Sequence, residues 1–279
     1  VSLSEHKGGR LICHYCGYMQ PMPKLCPKCG SKYILGFKAG TQQIEDKLKE
    51  LYPGVRTLRM DADTTRTKDS YEKILSAFAN GEADVLIGTQ MIVKGHDFPK
   101  VTLVGILAAD LSLNASDYRA GERTFQLLTQ AVGRAGRGAL PGEAVIQTYQ
   151  PDHYAITCAA AQDYKSFYEE EILYRELSGY PPAAHMLAVQ IYGKEEENVK
   201  QLAQRLADVV KSNMDFLQIL GPTPANISKI NDIYRYVFYA KHAEYDTLVA
   251  VKDCVEETLR QWQPRQLSIQ FDFDPVNVL

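Results

Sequence analysis

The sequence predicts an α/β fold followed by a smaller α+β domain, and two observations support this class. From about residue 38 to residue 150, apolar runs of strand length alternate with segments of helical period, which is typical of βαβ units in a parallel sheet. After about residue 160 the order of segments becomes β-α-β-β-α-β, which is the order of a split βαβ, ferredoxin-like fold.

Apolar runs without polar interruption predict the strands of the parallel sheet, because such strands are covered on both faces. These strands are expected at residues 55–60, 83–89, 101–107 and 143–149. Helices are expected from Thr41, the predicted N-cap, and over residues 69–81. Functional residues of open parallel sheets gather beyond the carboxyl ends of the strands. We therefore expect chemistry in the loops after Met60, Gly88 and Leu107.

Composition and charge exclude several classes of protein. The 279 residues are 45% hydrophobic and 23% charged, which is typical of a globular protein with two cores. A net charge of −3 excludes a uniformly basic nucleic-acid binder, although residues 1–60 carry ten Lys and Arg against four Asp and Glu. That basic beginning fits a polyanionic partner and equally a solvated lysine-rich surface. No apolar run reaches the roughly 20 residues of a membrane span, and no signal peptide is evident, so a cytoplasmic location is expected.

Four of the six cysteines lie within residues 13–29 and form two C-x2-C pairs. Their spacing lets each pair bind a tetrahedral Zn²⁺, and a glycine directly after each pair lets the chain turn beneath the metal. The nine residues between the pairs are fewer than the ~15–20 of a zinc ribbon, so the pairs share one ion or each needs another partner pair. The predicted ligands are Cys13, Cys16, Cys26 and Cys29.

An arginine-rich stretch stands out in residues 122–138, which have the period of a helix. On a continuous helix its apolar residues face the sheet, and its polar face presents Gln130, Arg134 and Arg137 at i, i+4 and i+7. The interspersed glycines, each of which costs a helix about 1 kcal/mol, leave room for another surface to approach. Because a guanidinium matches phosphate oxygens in a bidentate manner, this face is predicted to bind a phosphate or another anion.

These residues carry a resemblance to a known family. The pattern Q-x2-G-R-x-G-R at residues 130–137 resembles motif VI of superfamily 2 helicases, and residues 88–101 resemble motif V. With the cysteine pairs and the segments 59–65, 175–182 and 221–241, the chain is similar throughout to the primosomal replication-restart helicases. The resemblance implies three parts. They are a partial zinc-binding module in residues 1–32, a RecA-like helicase lobe 2 in residues 33–160 and a C-terminal α+β domain in residues 161–279.

The resemblance implies an ATP-dependent 3′-to-5′ DNA helicase that acts in replication restart and primosome assembly at stalled forks. It makes Arg134 and Arg137 arginine fingers, with Gln130 positioning the nucleotide. It also implies that Gly88 and Thr89 contact the DNA backbone. Gly95 and Asp97 would couple the DNA-binding loop to the nucleotide cleft. The implied partners are forked and single-stranded DNA, primosome proteins and the single-stranded-DNA-binding protein.

The sequence departs from the family pattern in two respects. It contains neither a G-x4-G-K-[ST] phosphate loop nor the acidic strand-end tetrad that holds Mg²⁺. ATP and Mg²⁺ are therefore expected to bind mostly through a lobe outside this chain, and the chain alone is expected to lack ATPase activity. Family members carry eight zinc cysteines in two interleaved sites. On that pattern the two cysteine pairs of this chain belong to different zinc ions.

Alternatives remain at this stage. One is a zinc-stabilised module that binds DNA or protein without motor activity; a metabolic α/β enzyme with a structural zinc is another, and a third is a different superfamily 2 motor. Asp61 and Asp63 have either a structural or a capping role. In the C-terminal domain, Lys229 and Arg235 are candidate DNA contacts, since aromatic and basic residues mix around them as in single-strand binders. The neighbouring tyrosines fit plain β-propensity equally well.

Overall fold

A computed structural model describes most of the chain and divides it into two compact units. The described residues are 4–6, 9–12, 19–25, 27, 30–32, 40–65, 67, 69–93, 98–113, 117–214, 217–264 and 266–276. Unit 1 comprises residues 1–34, 116–119 and 169–279, and unit 2 comprises residues 35–115 and 120–168. The predicted zinc ligands Cys13, Cys16, Cys26 and Cys29, with the predicted coupling residues Gly95 and Asp97, lie outside the described residues.

The chain begins with a small antiparallel sheet that the sequence did not predict. Its strands follow one another in the order β1-β2-β3. They are β1 (Ser4–His6), β2 (Arg10–Ile12) and β3 (Met19–Pro21).

Unit 2 has the mixed α/β architecture that the alternating pattern predicts, although its strands are shorter than expected. Its elements are α1 (Thr41–Leu51), β4 (Thr57–Met60), α2 (Ser70–Ala79), β5 (Val85–Gly88), a 3₁₀ helix (Gln90–Val93), β6 (Leu103–Ile106), α3 (Asp110–Leu113), α4 (Ala120–Val132), β7 (Glu143–Ile146) and α5 (Tyr154–Ala161). The strands form two parallel pairs, β4 with β5 and β6 with β7. Met60 and Gly88 lie side by side at the carboxyl end of the first pair.

The main core of unit 2 is formed by α4 and α5. Phe125 and Leu128, one helical turn apart on α4, are almost completely buried. They pack with Ile156 of α5 and with Phe167, which lies in α6 (Tyr164–Ser178). The rings of Phe125 and Phe167 stack with their centroids 4.0 Å apart. The apolar stripe predicted for α4 is therefore the one that faces the core.

Thr41 does not cap α1 as predicted. Gly40 occupies the N-cap position, and Thr41 lies in the first turn of the helix. The Thr41 hydroxyl donates instead to Asp61 Oδ2 across 2.5 Å. This bond ties the start of α1 to the loop that follows β4.

The C-terminal part of unit 1 shows the element order that the sequence predicts. Its elements are β8 (His185–Gly193), α7 (Glu196–Asn213), β9 (Gln218–Ile230), β10 (Ile233–His242), α8 (Tyr245–Trp262) and β11 (Leu267–Phe273). The four strands form an antiparallel sheet in the order β11-β8-β10-β9. One face of the sheet packs against α7 and α8 through buried side chains such as Val189, Leu206, Phe238 and Val251.

The opposite face of this sheet is partly covered by a stack of aromatic and cationic side chains. The rings of Tyr118 and Tyr180 lie parallel with centroids 5.0 Å apart. The guanidinium of Arg175 lies 4.9 Å from the Tyr118 centroid, and Lys241 Nζ lies 3.8 Å from that of Tyr180. The Tyr118 hydroxyl donates to the carbonyl of Pro275 across 3.0 Å. The stack therefore holds residues 117–119 in unit 1, directly before the first residue of α4.

Lys241 is a structural residue of this stack. Its side chain is buried, and its ammonium donates to the carbonyl of Ser178 across 2.6 Å. Burial lowers the pKa of Lys241, because removal from water disfavours the charged form.

Among the helices of the described residues, none is both long enough and apolar enough to span a bilayer.

Acid is expected to destabilise unit 2 before unit 1. Among the described residues, the carboxyl groups whose pKa is lowered all lie in unit 2, and hydrogen bonds from Arg56 hold the pKa of Asp84 at about 2. A lowered folded-state pKa stabilises the fold above the unfolded value, and this stabilisation is lost as pH falls through the folded value. The groups are Glu45, Asp61, Asp84, Asp110 and Asp163.

The sequence offers a probe for this prediction, because its only tryptophan, Trp262, lies in unit 1. On titration from about pH 5 to about pH 2, helical circular dichroism should fall before Trp262 fluorescence changes. A fluorescence transition at the same or a higher pH than the loss of helix would contradict the expectation.

Candidate functional site

The two arginines of the predicted anion site lie in a loop rather than on a helix. Helix α4 ends at Val132 instead of continuing to residue 138. The last bond of helical spacing runs from the Gly133 N–H to the Thr129 carbonyl, and the next two N–H groups bond three residues back. Gly136 then adopts a φ of +70°, a left-handed conformation that glycine tolerates best. Gln130, Arg134 and Arg137 therefore do not share a helical face.

The glycines of this loop allow it to pack closely against backbone. A β-carbon at Gly136 would lie 2.7 Å from the Gly142 nitrogen, and one at Gly138 would overlap the Pro99 carbonyl. The Gly136 N–H also donates to the Val101 carbonyl across 3.0 Å. The sequence had suggested that these glycines make room for another surface. In the structure the approaching surface is the backbone of unit 2 itself, and the loop is fixed by it.

The two arginines differ in their surroundings. Arg137 is exposed, and its Nε donates to the Gly133 carbonyl across 2.6 Å within the loop. Arg134 is half-buried, and its Nη2 donates to the carbonyl of Val93 across 2.5 Å. The Arg134 Nε is buried without a hydrogen-bond partner. Gln130 is exposed near the end of α4. The loop thus presents one exposed guanidinium and one that is tied to the neighbouring 3₁₀ helix.

Gly88 and Thr89 lie where β5 ends and the 3₁₀ helix begins. A β-carbon at Gly88 would lie 2.5 Å from the Met60 carbonyl oxygen of β4, so the position requires glycine for packing. Thr89 is exposed, and its carbonyl accepts from the Ile92 N–H across 3.2 Å. Thr89 and the Arg134-bound carbonyl of Val93 therefore lie at opposite ends of the same short helix.

Asp61 has a structural role in this structure. Its side chain is buried and accepts hydrogen bonds from the Thr41 hydroxyl and from the N–H groups of Asp63 and Thr64. Burial alone would raise the pKa of Asp61, but these hydrogen bonds and the nearby charge of Arg59 outweigh it, so that the pKa is lowered. Asp63 is exposed and takes part through its backbone.

Asp110 is a buried carboxylate that sequence reasoning missed. It follows β6 and accepts from the Thr148 hydroxyl across 2.8 Å and from the Tyr149 N–H across 3.0 Å. Burial would raise its pKa, but these hydrogen bonds lower it. Two residues earlier, Ala108 has a φ of +53°, which a residue with a β-carbon seldom adopts. Asp110 begins α3 three residues after Leu107, close to the loop where chemistry was expected, and this position was the signal that could have found it.

The two predicted DNA contacts of the C-terminal domain are not brought together. Lys229 pairs with Tyr234 in the sheet, and Arg235, the next residue along β10, pairs with Tyr192 on the opposite face. Lys229 Nζ lies 2.9 Å from Asp232 Oδ1 and 4.7 Å from the Tyr234 ring centroid. The Arg235 guanidinium lies 5.5 Å from the Tyr192 ring centroid.

Arg235 also lines an open concavity of about 650 Å³, together with polar residues of β8 and β11 such as Gln190, Gln270 and Asp272. Tyr236 lies on the helix-packed face, where its hydroxyl donates to Glu196 Oε1. The mixture of aromatic and basic residues seen in the sequence is therefore divided between the two faces.

The metal prediction concerns residues that the structure does not describe. Within the described ranges, no group of three or more His, Cys, Asp or Glu side chains is arranged to hold a metal ion. The two cysteine pairs lie outside those ranges, so the zinc site stays a prediction.

Comparison with known proteins assigns the two halves of the chain to different family models. Residues 24–139 match the helicase conserved C-terminal domain, and residues 176–276 match the primosomal protein N C-terminal domain. The first match includes β4 to β6, α4 and the loop of residues 133–138 that carries Arg134 and Arg137, called the arginine loop below. The second includes the four-stranded antiparallel sheet.

Curated relatives match nearly the whole chain. The replication restart protein PriA of Bacillus subtilis (strain 168) is 43% identical over 278 residues, which are 99% of this chain and 34% of the relative. The protein of the same name from Synechocystis sp. is 39% identical over 284 residues, which cover 100% of this chain and 34% of the relative. The chain thus spans about a third of the length of these relatives.

Among solved structures, the de novo designed protein Foldit4 aligns with 34% of this chain and 99% of its own. Its sequence identity is 14% and its TM-score is 0.28, a likeness too weak to assign a fold.

Adding a β-carbon to the arginine loop is expected to destabilise unit 2. Gly138→Ala should lower the free energy of unfolding by about 1–3 kcal/mol, the usual cost of overpacking, because the new methyl overlaps the Pro99 carbonyl. Gly105→Ala is the matched control, since a β-carbon there meets nothing within 4 Å. Urea unfolding of both variants provides the measurement. Equal stability of the two variants would show that the close backbone contact is not required.

Proposed function

This chain belongs to the family of the replication restart protein PriA, and we propose that its unit 2 is the second, RecA-like lobe of an ATP-dependent DNA motor. The motor would translocate 3′ to 5′ and act at stalled replication forks. In such motors the nucleotide lies between two lobes, and an arginine from the second lobe stabilises the charge that develops on the transferred phosphoryl group.

The observation that carries this proposal is the exposed guanidinium of Arg137 on a loop fixed by backbone packing. A fixed loop holds a charge at one place without reorganisation during the reaction, which is the condition for strong electrostatic catalysis. The sequence contains no G-x4-G-K-[ST] phosphate loop and no acidic strand-end tetrad for Mg²⁺. We infer that ATP and Mg²⁺ bind chiefly to another lobe, and that Arg137 donates to γ-phosphate oxygens across the cleft. Gln130, near the end of α4, would help to position the nucleotide.

The same proposal assigns DNA contacts to the carboxyl end of β5. The Thr89 hydroxyl is exposed there and can donate to a backbone phosphate. Gly88 lets the chain turn tightly against β4 and so places Thr89 at the surface. Gly95 and Asp97, which follow in the sequence, would couple this segment to the nucleotide cleft. Arg235 is the better supported of the two C-terminal DNA contacts, because Lys229 is already paired with Asp232.

Further parts of the proposal rest on the family relationship. The C-terminal sheet order β11-β8-β10-β9 supports our description of this domain as ferredoxin-like. Zn²⁺ is proposed at the two C-x2-C pairs on the basis of their spacing. Forked and single-stranded DNA, primosome proteins and the single-stranded-DNA-binding protein are the proposed partners.

Substitution of Arg137 tests the proposed catalytic role in the full-length protein. Arg137→Ala should reduce the rate of DNA-stimulated ATP hydrolysis by roughly 10³-fold or more, since arginine fingers contribute 10³–10⁵-fold. Nucleotide affinity, measured with a fluorescent ATP analogue, should change only a few-fold because the phosphate loop is intact. Arg260→Ala, which removes an exposed arginine of α8 paired with Glu257, is the matched control and should retain hydrolysis. Hydrolysis at the wild-type rate in Arg137→Ala would show that Arg137 is not the arginine finger.

A further inference from the structure

Tyr149 is the most exposed large apolar or aromatic side chain among the described residues. It is 87% exposed and follows the carboxyl end of β7. Leu107 and Leu111, which follow the carboxyl end of β6, are exposed as well. The Ala109 N–H donates to the Gln147 carbonyl across 3.1 Å, so the two segments run side by side beyond the strands. Three exposed apolar side chains therefore come from the end of a parallel pair at which open α/β sheets bind their ligands.

The backbone of Tyr149 is held by the buried carboxylate of Asp110. The two oxygens of Asp110 lie 3.2 and 3.0 Å from the Tyr149 nitrogen, and one of them also accepts from the Thr148 hydroxyl across 2.8 Å. Ala108 has a φ of +53°, a conformation that costs free energy in a residue with a β-carbon and that clusters at functional sites. A buried carboxylate and a strained turn thus fix a residue whose ring lies outside the core. A fixed residue loses less conformational entropy when a ligand binds to it.

The position of Tyr149 distinguishes between the two ligands of the proposed motor. The arginine loop lies at the amino end of β6 and β7, because the Gly136 N–H donates to the Val101 carbonyl and the Gly136 backbone lies against Gly142. Tyr149 follows the opposite, carboxyl end of the same pair. Thr89, the proposed DNA contact, also follows the carboxyl end of its own strand, β5. The proposed function therefore assigns this end of the strands to DNA and the other end to ATP.

The residues around Tyr149 suit a base better than a phosphate. Residues 107–113 and 147–151 contain neither lysine nor arginine, so these segments offer no cationic side chain to the DNA backbone. An exposed aromatic ring offers a flat face on which a base stacks, and such stacking tolerates any sequence because every base has a π-face. That tolerance suits a motor that moves along DNA of arbitrary sequence.

We propose that Tyr149 is a stacking platform for a base of single-stranded DNA, an inference that rests on the function proposed above. The ring of Tyr149 contacts the base, and Leu107 and Leu111 supply the apolar surroundings. Asp110 is a positioning residue, because it holds the Tyr149 backbone without touching DNA.

The test compares the affinity of the full-length protein for two single strands of equal length, without nucleotide. One strand carries ordinary bases, and the other has abasic deoxyribose at every position. Fluorescence anisotropy gives both dissociation constants, and the ratio of abasic to ordinary measures the contacts to bases. Tyr149→Ala should lower this ratio by roughly 5-fold to 100-fold, the usual contribution of one stacked base. Tyr149→Phe, which keeps the ring, should keep the wild-type ratio.

Tyr52→Ala is the matched control, because Tyr52 is an exposed tyrosine at the end of α1 with no part in the proposed platform. It should keep the wild-type ratio. A purely structural role of Tyr149 would weaken binding to both strands equally and leave the ratio unchanged, which would overturn the proposal. A wild-type ratio of 1 would overturn it as well.

ATP is the other source of a base, and a second measurement separates it from DNA. Tyr149→Ala should leave the affinity for a fluorescent ATP analogue unchanged. Loss of that affinity with an unchanged DNA ratio would assign the ring to adenine and overturn the proposal. Failure of the proposed motor function has a different signature, which is the absence of DNA-stimulated ATP hydrolysis by the wild-type full-length protein.

Discussion

The arrangement of the arginine loop depends on the direct contact of two stretches of backbone. Gly136 and Gly142 approach so closely that a β-carbon on either would overlap the other, and Gly138 lies in the same way against Pro99. This contact ends α4 at Val132, turns the chain through the left-handed conformation of Gly136 and directs the two arginines to different surroundings. The glycines that make a poor helix are the residues that make a fixed loop.

Helix α4 belongs to unit 2, and the residue before it, Arg119, belongs to unit 1. Its last turn leads into the glycine contacts of unit 2. Its first residue, Ala120, comes two positions after Tyr118, which is stacked on Tyr180 beneath Arg175 in unit 1. The covalent chain therefore joins the stack on the C-terminal sheet to the helix that carries Gln130. The stack includes the buried Lys241, which is a packing residue.

Sequence periodicity predicted the elements that have one regular apolar face. The apolar stripe of α4 was found in the core, where Phe125 and Leu128 are buried. Periodicity did not predict α6, because its narrow buried stripe includes the ion pair of Glu171 with Arg175. In β9, Gly221 and Pro222 interrupt the apolar pattern. An edge strand tolerates such residues because one side of its backbone is unpaired.

The sequence predicted which residues form the candidate site, but it did not predict how they are arranged. The motif located Gln130, Arg134 and Arg137, but helical period placed them on one face, because a left-handed φ at Gly136 leaves no trace in the spacing. The difference between the two arginines depends on the Val93 carbonyl, and a backbone acceptor cannot be recognised from side-chain identities. Asp110 was missed for a similar reason, since its partners at Thr148 and Tyr149 come from a distant loop.

On the proposed function, this chain supplies one side of an active site whose nucleotide-binding side lies in another lobe. The most direct measurement is ATP hydrolysis by the purified chain, with saturating single-stranded DNA, beside the full-length protein under the same conditions. The full-length protein should show DNA-stimulated turnover, and the chain alone should show none above background. Appreciable DNA-stimulated turnover by the chain alone would contradict the proposed function, because the chain would then contain a complete site.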